Sequence, residues 1–392
     1  MNILLANYYG IGKGGSQKST YQLGKALIER GHKVVIASTG SYMEIPVSKF
    51  KEFPLPLPSV QKSQLTPALK KIINEKKIEI INAQDRLTSF AAVMAAKETG
   101  IRSVVHFRDY WFACTNSTCL TRNLEPWTGE FYDFVNSFPP QRIPWEMLKA
   151  REIGHNIPLL KEANKKVAIS HAVKQKLEPY GMHDAVVIPN FVEQPSAKTP
   201  VDAIRKKYSL KKKVVLFVGR LSYEKGLPVL LKAAGKVLGK RNDVSFLIAG
   251  SGPLENEMKA LAGKIEGAER SIVFAGEVGF DDVGSYYNVA DIVVVPSFME
   301  AFGRTAAEAF SMKKPVIAAG IGGLRDIVEM NETGLVYSVR DFETLAENIN
   351  ALLDDENKCR QFGANGFRKF RENFSRDVVI KKIEKLYEEA LE

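Results

Sequence analysis

Few cysteines and no long apolar runs narrow the class of protein before any motif is considered. Three cysteines occur in 392 residues, and this low, odd count argues against a disulfide framework and for a reducing compartment. No apolar run reaches the ~18 residues that a membrane span requires. The first ten residues, MNILLANYYG, carry no basic leader, so we expect a first strand there rather than a signal peptide. A cytoplasmic protein is the expectation.

The length and the charge distribution add two further constraints. A chain of 392 residues exceeds one ordinary core, so two domains are expected. Residues 1–190 carry 25 basic and 16 acidic side chains, a balance of +9, whereas residues 191–392 carry 30 and 29, a balance of +1. Two interpretations of the basic half stay open, namely solvated helix faces or a surface that meets a lipid phosphate or an anionic membrane. No nucleic-acid partner is predicted.

Short β-branched runs alternate with stretches of helical length along the chain. The runs are apolar on both faces, which favours parallel strands covered by helices on both sides. Alternation in two blocks predicts an α/β protein with two doubly wound parallel sheets. The expected strands are 2–6, 33–38, 78–83, 102–107, 165–170 and 185–190, then 213–219, 244–250, 271–276, 291–296 and 315–319.

The domain boundaries follow from the same alternation. We expect a first domain over 1–190 and a second over 213–374. Between them, residues 191–212 collect prolines and lysines and lack strand signals, which predicts a linker. The amphipathic helix predicted over 375–392 is expected to pack back on the first domain.

A glycine-rich loop lies between the first predicted strand and a helix. Gly10, Gly12 and Gly15 match the G-x-G-x-x-G pattern of dinucleotide-binding folds, which would indicate a dehydrogenase. The second strand ends in ASTG, residues 37–40, without the acidic residue that contacts the ribose in those enzymes. The remaining expectation is that Gly14 and Gly15 present backbone amides to an anion at a helix N-terminus.

Charged residues follow two predicted strands of the second domain. In VGRLSYEKG, Arg220 lies just past a strand and Lys225 lies five residues further, beside Gly226. A guanidinium fork and a lysine point charge suit phosphate oxygens, and the carboxyl ends of parallel strands are where α/β sheets bind ligands. In SFMEAFGRTAAEAF, Glu300 and Glu308 flank the predicted start of a helix, which itself attracts anions.

Residues 107–145 break the alternation with many aromatic side chains, among them Trp127 and Trp145. A loop of this length is usually functional or mobile. An extra packed subdomain, a flap over an acceptor site and a membrane-facing surface all stay open. Cys114 and Cys119 lie in this loop, but a closed zinc site would need two further Cys or His ligands. We expect both cysteines to be free or loosely paired thiols.

Together these features resemble the retaining glycosyltransferases of the GT-B fold, glycosyltransferase family four (glycosyl transferases group 1). The most specific marks are the E-x7-E pattern of Glu300 and Glu308 and the segment VGRLSYEKG. Weaker marks are GKGGS, IPNFVE, GSGP and PVIAAGIGGLRDIV. Gln17 is a departure, because many relatives carry Glu there. The resemblance covers nearly the whole chain and implies two Rossmann-like domains facing a central cleft, the first for an acceptor and the second for a nucleotide-sugar donor.

The resemblance also implies roles for individual residues in hexose transfer to an acceptor hydroxyl. Arg220 and Lys225 would bind the diphosphate and stabilise the leaving group. Glu300 would hold hydroxyls of the transferred sugar, Glu308 would hold the ribose, and His106 would lie near the donor sugar. The catalytic candidates are Arg220, Lys225, Glu300 and His106. Further donor contacts are expected at Gly14, Gly15, Gly252, Ala301, Phe302 and Gly303, and acceptor contacts at Arg108, Asp109 and Trp111.

No protein nucleophile, metal or cofactor is assigned. The resemblance implies front-face transfer in which the donor phosphate helps to deprotonate the acceptor, and Arg220 and Lys225 can replace a metal ion. The implied acceptor is a glycan, a lipid-linked molecule or a small molecule, in cell-envelope polysaccharide or glycolipid synthesis, with peripheral association at the inner face of the cytoplasmic membrane as one option. A sugar-nucleotide epimerase or hydrolase of the same fold and a non-catalytic sugar-nucleotide-binding partner remain alternatives.

Overall fold

The structure is a computed structural model that describes residues 1–12, 15–52, 57–117, 119–121, 136–279 and 281–392. The chain divides into two compact units. The first unit comprises Met1–Phe191 and Arg376–Glu392, and the second comprises Val192–Ser375. Gly14 and Trp127, which the sequence analysis singled out, lie outside the described residues.

The first unit contains a parallel sheet whose described strands are ordered β3-β2-β1-β4-β5-β6-β7. Its strands are β1 (Asn2–Ala6), β2 (Lys33–Ser38), β3 (Val47–Lys49), β4 (Ile80–Ala83), β5 (Arg102–Phe107), β6 (Lys165–Ala168) and β7 (Val186–Val187). Its described α-helices are Gly15–Glu29, Pro58–Lys76, Arg86–Thr99, Ile143–Lys161, His171–Leu177 and Arg376–Leu391, with short 3-10 helices at Pro140–Arg142 and Glu178–Tyr180.

Both faces of this sheet are buried. Side chains alternate along β1, so that Ile3 and Leu5 contribute to one apolar cluster and Leu4 and Ala6 contribute to the other. The first cluster includes Val379, Ile380, Ile383, Leu386 and Tyr387 of the last helix. Burying one such aliphatic side chain contributes about 1.5–3 kcal/mol, so the C-terminal segment is held in the first unit by its own apolar face.

The second unit contains a parallel sheet with the described strand order β10-β9-β8-β11-β12-β13. Its strands are β8 (Lys213–Val218), β9 (Val244–Ala249), β10 (Ile272–Gly276), β11 (Ile292–Val295), β12 (Val316–Ala319) and β13 (Gly334–Tyr337). Its described α-helices are Val201–Lys207, Leu227–Leu238, Glu255–Ala262, Val283–Val289, Arg304–Ser311, Leu324–Ile327, Phe342–Asp354 and Glu356–Lys369. Short 3-10 helices lie at Tyr223–Lys225 and Ala268–Arg270, and a π-helical turn lies at Phe370–Phe374.

The expected α/β fold with two parallel sheets is confirmed, and each expected strand overlaps an observed one. Two strands, β3 and β13, were not expected. The strand β3 has three residues, none of them fully buried, and β13 begins with a glycine. A Cβ on Gly334 would lie 2.0 Å from the carbonyl oxygen of Val316, so the close approach of β13 to β12 requires glycine at this position. The same glycine weakens the apolar strand pattern in the sequence, which is why β13 was not expected. Within the expected linker, Val201–Lys207 forms a helix of the second unit.

No helix in the described part of the chain is both long and apolar enough to cross a membrane. No group of three or more His, Cys, Asp or Glu side chains there could hold a metal ion.

Candidate functional site

The strand order of the second sheet brings two motifs together. β8 pairs with β9 on one side and with β11 on the other, and the chain builds β9 and β10 before it crosses to β11. Open α/β sheets bind ligands at such a reversal, outside the carboxyl ends of the strands. Arg220 follows β8 and Glu300 follows β11, so both candidates lie at the reversal.

Backbone contacts hold the loops after β8 and β11 against each other. The amide of Phe298 donates to the carbonyl of Glu224 at 2.8 Å. Gly226 has φ +69°, and a Cβ there would lie 1.8 Å from the carbonyl oxygen of Pro296. Glycine is therefore required at position 226 by both backbone conformation and space.

Lys225 and Glu300 form an ion pair within this pair of loops. The distance from Lys225 Nζ to Glu300 Oε2 is 2.7 Å, and the hydroxyl of Ser297 donates to the same oxygen at 3.4 Å. Burial lowers the pKa of Lys225, but the charge of Glu300 and the hydrogen bond to it outweigh burial and leave the pKa above its usual value. The ammonium group of Lys225 therefore stays charged at neutral pH and can form an ion pair with an anion.

Arg220 is exposed, and its side chain forms no ion pair with any other residue that the structure describes. The backbone after it is supported by the glycine turn that follows β9: the amide of Leu221 donates to Ser251 O at 2.9 Å. A Cβ on Gly252 would lie 2.4 Å from Leu221 O. Gly252, expected as a donor contact, thus has an independent packing role beneath the Arg220 loop.

Glu308 lies one turn into the helix Arg304–Ser311 and is 7% exposed. Tyr287 Oη donates to its Oε2 at 3.0 Å, and Arg304 Nε donates to its Oε1 at 3.0 Å. Burial, followed by the charge of Glu308, raises the pKa of Tyr287 well above its usual value. The two oxygens of a carboxylate offer about four acceptor positions, so Glu308 can still accept hydrogen bonds from a ligand.

In the turn between Glu300 and Glu308, the groups that a ligand could contact belong to the backbone and not to side chains. Phe302 is 5% exposed and packs against Phe374, with ring centroids 5.9 Å apart. Gly303 has φ +106°, and a Cβ there would lie 2.6 Å from Leu324 Cδ2. The first amides of the following helix have no intrahelical acceptor. Ala301, Phe302 and Gly303 therefore remain candidates through their backbone alone.

Polar side chains also collect at the carboxyl ends of β4 and β5 in the first unit. His106 is 2% exposed, and its Nδ1 lies 3.0 Å from Asn82 Oδ1. Burial, followed by the charge of Arg108, holds the pKa of His106 well below its usual value, so its ring is neutral at pH 7. Arg108 donates from Nε to Gln84 Oε1 at 3.0 Å and from Nη1 to Asn190 Oδ1.

Of the three acceptor candidates, Arg108 and Asp109 are partly exposed and Trp111 is not. Trp111 is 2% exposed and contacts Phe90, Phe107 and Phe112 with centroid distances of 5.7, 5.9 and 6.0 Å. Its ring is part of the core in this structure and is not proposed as an acceptor contact.

Asp109 accepts a hydrogen bond from the Trp111 amide at 2.8 Å. Burial raises its pKa to about 6, although this hydrogen bond and Arg86 act in the opposite direction. The carboxyl group therefore binds its proton more tightly in the folded chain than in the unfolded chain, where its pKa is about 3.9. The free energy of unfolding should fall as pH rises from about 4 to about 6, since ionising Asp109 costs more in the folded state.

Asp109→Asn should remove this cost. We expect the variant to gain about 1–2 kcal/mol of unfolding free energy at pH 7.5 and to gain nothing near pH 4. The value at pH 7.5 is set below the full effect of the pKa shift because Asp109 is partly exposed to solvent. Denaturant unfolding at both pH values measures the difference. An equal gain at the two pH values, or none at pH 7.5, would contradict the raised pKa.

The expectation of free or loosely paired thiols at Cys114 and Cys119 is wrong. The two form a disulfide with a Cα–Cα distance of 5.4 Å. The backbone at Ser117 and Cys119 is left-handed, with φ of +60° and +52°, and Asn116 Oδ1 accepts from the Cys119 amide at 2.9 Å. The spacing alone could not reveal this local backbone conformation.

Two side chains of the site were not expected, Tyr287 and Arg304. Arg304 lies four residues before Glu308, and such i,i+4 spacing is a usable signal for a charge pair on a helix. Tyr287 reaches Glu308 from a different helix, Val283–Val289, and nothing in the sequence pattern connects the two.

Two family profiles match successive parts of the chain. Glycosyltransferase Family 4 matches residues 13–194, and Glycosyl transferases group 1 matches residues 200–369. The structure is also similar to the crystal structure of Anabaena Alr3699/HepE in complex with UDP, with a TM-score of 0.77 and 19% identity over 99% of this chain and 100% of that chain. This likeness shows the fold.

Curated relatives match about half of the chain. An uncharacterised glycosyltransferase of Methanocaldococcus jannaschii is 32% identical over 180 residues, 46% of each chain. The capsular polysaccharide biosynthesis glycosyltransferase CapM of Staphylococcus aureus is 29% identical over 174 residues, 44% of this chain and 45% of CapM. Each alignment thus spans about half the length of the relative. With two family profiles in chain order and two parallel sheets of the GT-B type, this chain belongs to the glycosyltransferases that these profiles describe, Glycosyltransferase Family 4 in its first half and Glycosyl transferases group 1 in its second.

Proposed function

We propose that the protein transfers a hexose from a nucleotide-diphosphate sugar to an acceptor hydroxyl, with retention of configuration at the sugar. The observation that carries the proposal is the Lys225–Glu300 ion pair at the reversal of the second sheet, with Arg220 exposed in the loop after β8. Two cations and a helix N-terminus suit a diphosphate. Two carboxylates suit the hydroxyls of a sugar and a ribose.

Donor binding would replace the internal ion pair with contacts to the ligand. Lys225 would turn from Glu300 to a phosphate oxygen, and Glu300 would then accept hydrogen bonds from hydroxyls of the transferred sugar. Arg220 would contact the same diphosphate, and Glu308 would use its remaining lone pairs for the ribose. As the glycosidic bond to the diphosphate breaks, negative charge develops on the leaving phosphate, and fixed cations stabilise it there.

The acceptor is proposed to be a glycan, a lipid-linked molecule or a small molecule, and the pathway to be cell-envelope polysaccharide or glycolipid synthesis. The similarity to CapM, a capsular polysaccharide biosynthesis glycosyltransferase, supports a role in polysaccharide synthesis. No protein nucleophile is assigned: the donor phosphate is proposed to help deprotonate the acceptor on the same face of the sugar. The proposed catalysis uses Arg220 and Lys225 where other enzymes use a metal ion.

Release of nucleoside diphosphate tests the reaction. The protein is incubated with uridine-, guanosine- and adenosine-diphosphate hexoses, with and without a pool of envelope glycans and glycolipids. We expect release to depend on the acceptor pool. Equal release without any acceptor would favour a hydrolase or epimerase, and binding without release under all conditions would favour a non-catalytic partner.

The two glutamates should divide the donor between them. We expect Glu308→Gln to weaken binding of the free nucleoside diphosphate, because the ribose is part of that ligand. Glu300→Gln should weaken binding of the sugar nucleotide and leave the free diphosphate nearly unaffected. Calorimetry with both ligands measures this, and equal losses for both variants on both ligands would refute the division.

Several basic side chains of the first unit are already neutralised by ion pairs, which reduces the positive charge that an anionic membrane would meet. Lys70 pairs with Glu98 at 2.6 Å, and Lys165 pairs with Glu389 at 3.2 Å. Lys166 is 4% exposed and cannot face a membrane. The supporting observation is an apolar pair on the helix Ile143–Lys161, where Met147 and Leu148 are 47% and 41% exposed.

We expect weak association with anionic liposomes at low salt that is lost at high salt, since each cation near such a surface contributes ~1 kcal/mol. Flotation measures the bound fraction, with vesicles of zwitterionic lipid alone as the control. At low salt, the double variant Met147→Ser/Leu148→Ser should show a lower bound fraction than the wild type. A protein that stays unbound at low salt would leave a soluble acceptor as the default.

A further inference from the structure

We propose that a directed chain of hydrogen bonds, Arg108–Gln84–Asn82, fixes the His106 imidazole in the Nδ1–H tautomer, so that Nε2 is an acceptor for a substrate hydroxyl. Gln84 and Asn82 thus become positioning residues, and Tyr387 holds the end of the chain in place. The consequence for turnover rests on the proposed function, whereas the tautomer can be measured without it.

The direction of the chain begins at Arg108. A guanidinium has donors only and stays protonated in proteins. Its Nε donates to Gln84 Oε1 at 3.0 Å, and its Nη2 donates to the same oxygen. The carboxamide oxygen of Gln84 therefore faces Arg108, and the Gln84 amide nitrogen must face the other way.

The Gln84 amide nitrogen then determines the orientation of Asn82. Gln84 Nε2 lies 2.7 Å from Asn82 Oδ1, so Asn82 must present its oxygen there. Its nitrogen faces the opposite side, where Nδ2 donates to Tyr387 Oη at 2.5 Å. Rotating the Asn82 amide by half a turn would place two NH2 groups against each other, and both side chains are 0% exposed. A buried donor without an acceptor destabilises the fold, because no water is present to accept its hydrogen bond.

Asn82 in turn determines which nitrogen of His106 carries the proton. His106 Nδ1 lies 3.0 Å from Asn82 Oδ1, which can only accept, so Nδ1 must donate. The 3.4 Å between Gln84 Nε2 and His106 Nδ1 then separates two donors that share one acceptor. A neutral imidazole has one proton, so Nε2 keeps its lone pair. The ring also borders a cavity of about 10 Å³, room for one hydrogen-bonding partner of the size of water.

Tyr387 anchors the chain without setting its direction. A phenol can donate or accept, so Tyr387 Oη would satisfy Asn82 in either orientation. It is 0% exposed and comes from the last helix, Arg376–Leu391. Tyr387→Phe therefore removes a buried partner of Asn82 while Arg108 and Gln84 still determine the tautomer. This separates direction from packing.

Long-range ¹H–¹⁵N NMR of histidine side chains measures the tautomer directly in the full chain without substrate. The protein has five histidines, and His106→Gln assigns the signals of interest. We expect a protonated Nδ1 and an unprotonated Nε2 in the wild type. In Gln84→Met, no amide at position 84 donates to Asn82 Oδ1, so the Asn82 amide can rotate and a mixture of the Nδ1–H and Nε2–H tautomers is expected.

Two further variants keep the test decisive. Tyr387→Phe should keep the Nδ1–H tautomer and lower Tm. If Gln84→Met does not fold, Gln84→Leu removes the same directing amide without adding charge, and the same mixture of tautomers is expected. An Nε2–H wild type, or an unchanged Nδ1–H population in the folded Gln84 variants, would overturn the chain.

Turnover tests the consequence separately. We expect Gln84→Met to lower kcat at least tenfold while the affinity for nucleoside diphosphate changes less than twofold. A switched tautomer with normal kcat would overturn the role of Nε2 in catalysis. Absence of any transferase activity in the wild type would refute the proposed function, and the NMR result would still decide whether the hydrogen-bond chain exists.

Discussion

Lys225→Ala and Arg220→Ala are each expected to lower kcat by two to three orders of magnitude in a protein that stays folded. Loss of one preorganised contact to charge that develops in a transition state costs roughly 2.7–4 kcal/mol. Lys225 carries a second effect, because its removal takes away the ammonium that lies 2.7 Å from Glu300, a carboxylate that is 18% exposed. The Lys225 variant should therefore also bind the nucleotide-sugar less tightly.

A second Lys–Glu pair of the same domain provides the control. Lys236 lies 2.8 Å from Glu343, and both side chains are more than half exposed. Lys236 is in the last turn of the helix Leu227–Leu238, roughly 15 Å along that helix from Gly226. Lys236→Ala should leave kcat unchanged, since exposed pairs contribute little. Initial rates at saturating donor measure all three variants, with circular dichroism to verify folding. Full activity in Arg220→Ala or Lys225→Ala would remove the assignment of that residue.

Gly226→Ala should destabilise the second domain by about 2–5 kcal/mol. A left-handed backbone costs an alanine roughly 1–2 kcal/mol, and the new Cβ would lie 1.8 Å from Pro296 O. Relieving that overlap requires a shift of the loops after β8 and β11, which adds about 1–3 kcal/mol. Because the same shift moves Lys225 and Glu300, binding of the nucleoside diphosphate should weaken as well.

Gly267→Ala separates strain from overlap. Gly267 has φ +74°, close to that of Gly226, but a Cβ there meets nothing within 4 Å. We expect it to lose only about 1–2 kcal/mol and to bind the diphosphate normally. Urea unfolding of both variants gives the comparison. Losses of equal size would show that the contact with Pro296 has no energetic consequence.

Much of the fold could be predicted because parallel strands buried on both faces are continuous apolar runs, as in KVVLFV of β8 and IVVV of β11. The donor candidates could be predicted for a similar reason, because Arg220, Lys225 and Glu300 lie just after such runs. In a doubly wound sheet the carboxyl ends of neighbouring strands lie at the same edge, so residues that follow different strands lie close together. Short edge strands such as β3 carry too few residues to show a pattern.

The partners of the candidate residues could not be predicted. Tyr287 meets Glu308 and Tyr387 meets Asn82 across distances of 21 and 305 residues in the chain, and neither pair shares a helix or strand. The Cys114–Cys119 disulfide depends on left-handed backbone at Ser117 and Cys119. The first half carries an excess of basic side chains, but several of its lysines are neutralised by ion pairs with residues distant in the chain, which the sequence does not reveal.

Calorimetric titration with uridine, guanosine and adenosine diphosphates tests the central claim most directly, with the wild type and the Arg220→Ala/Lys225→Ala double variant in parallel. We expect one nucleoside diphosphate to bind the wild type and, in a parallel thermal unfolding scan, to raise its Tm, since a ligand at 100 times its Kd adds ~2.7 kcal/mol of unfolding free energy. The double variant should lose most of this affinity while keeping its fold. Equal affinity in both proteins would contradict a diphosphate site at the ends of β8 and β11.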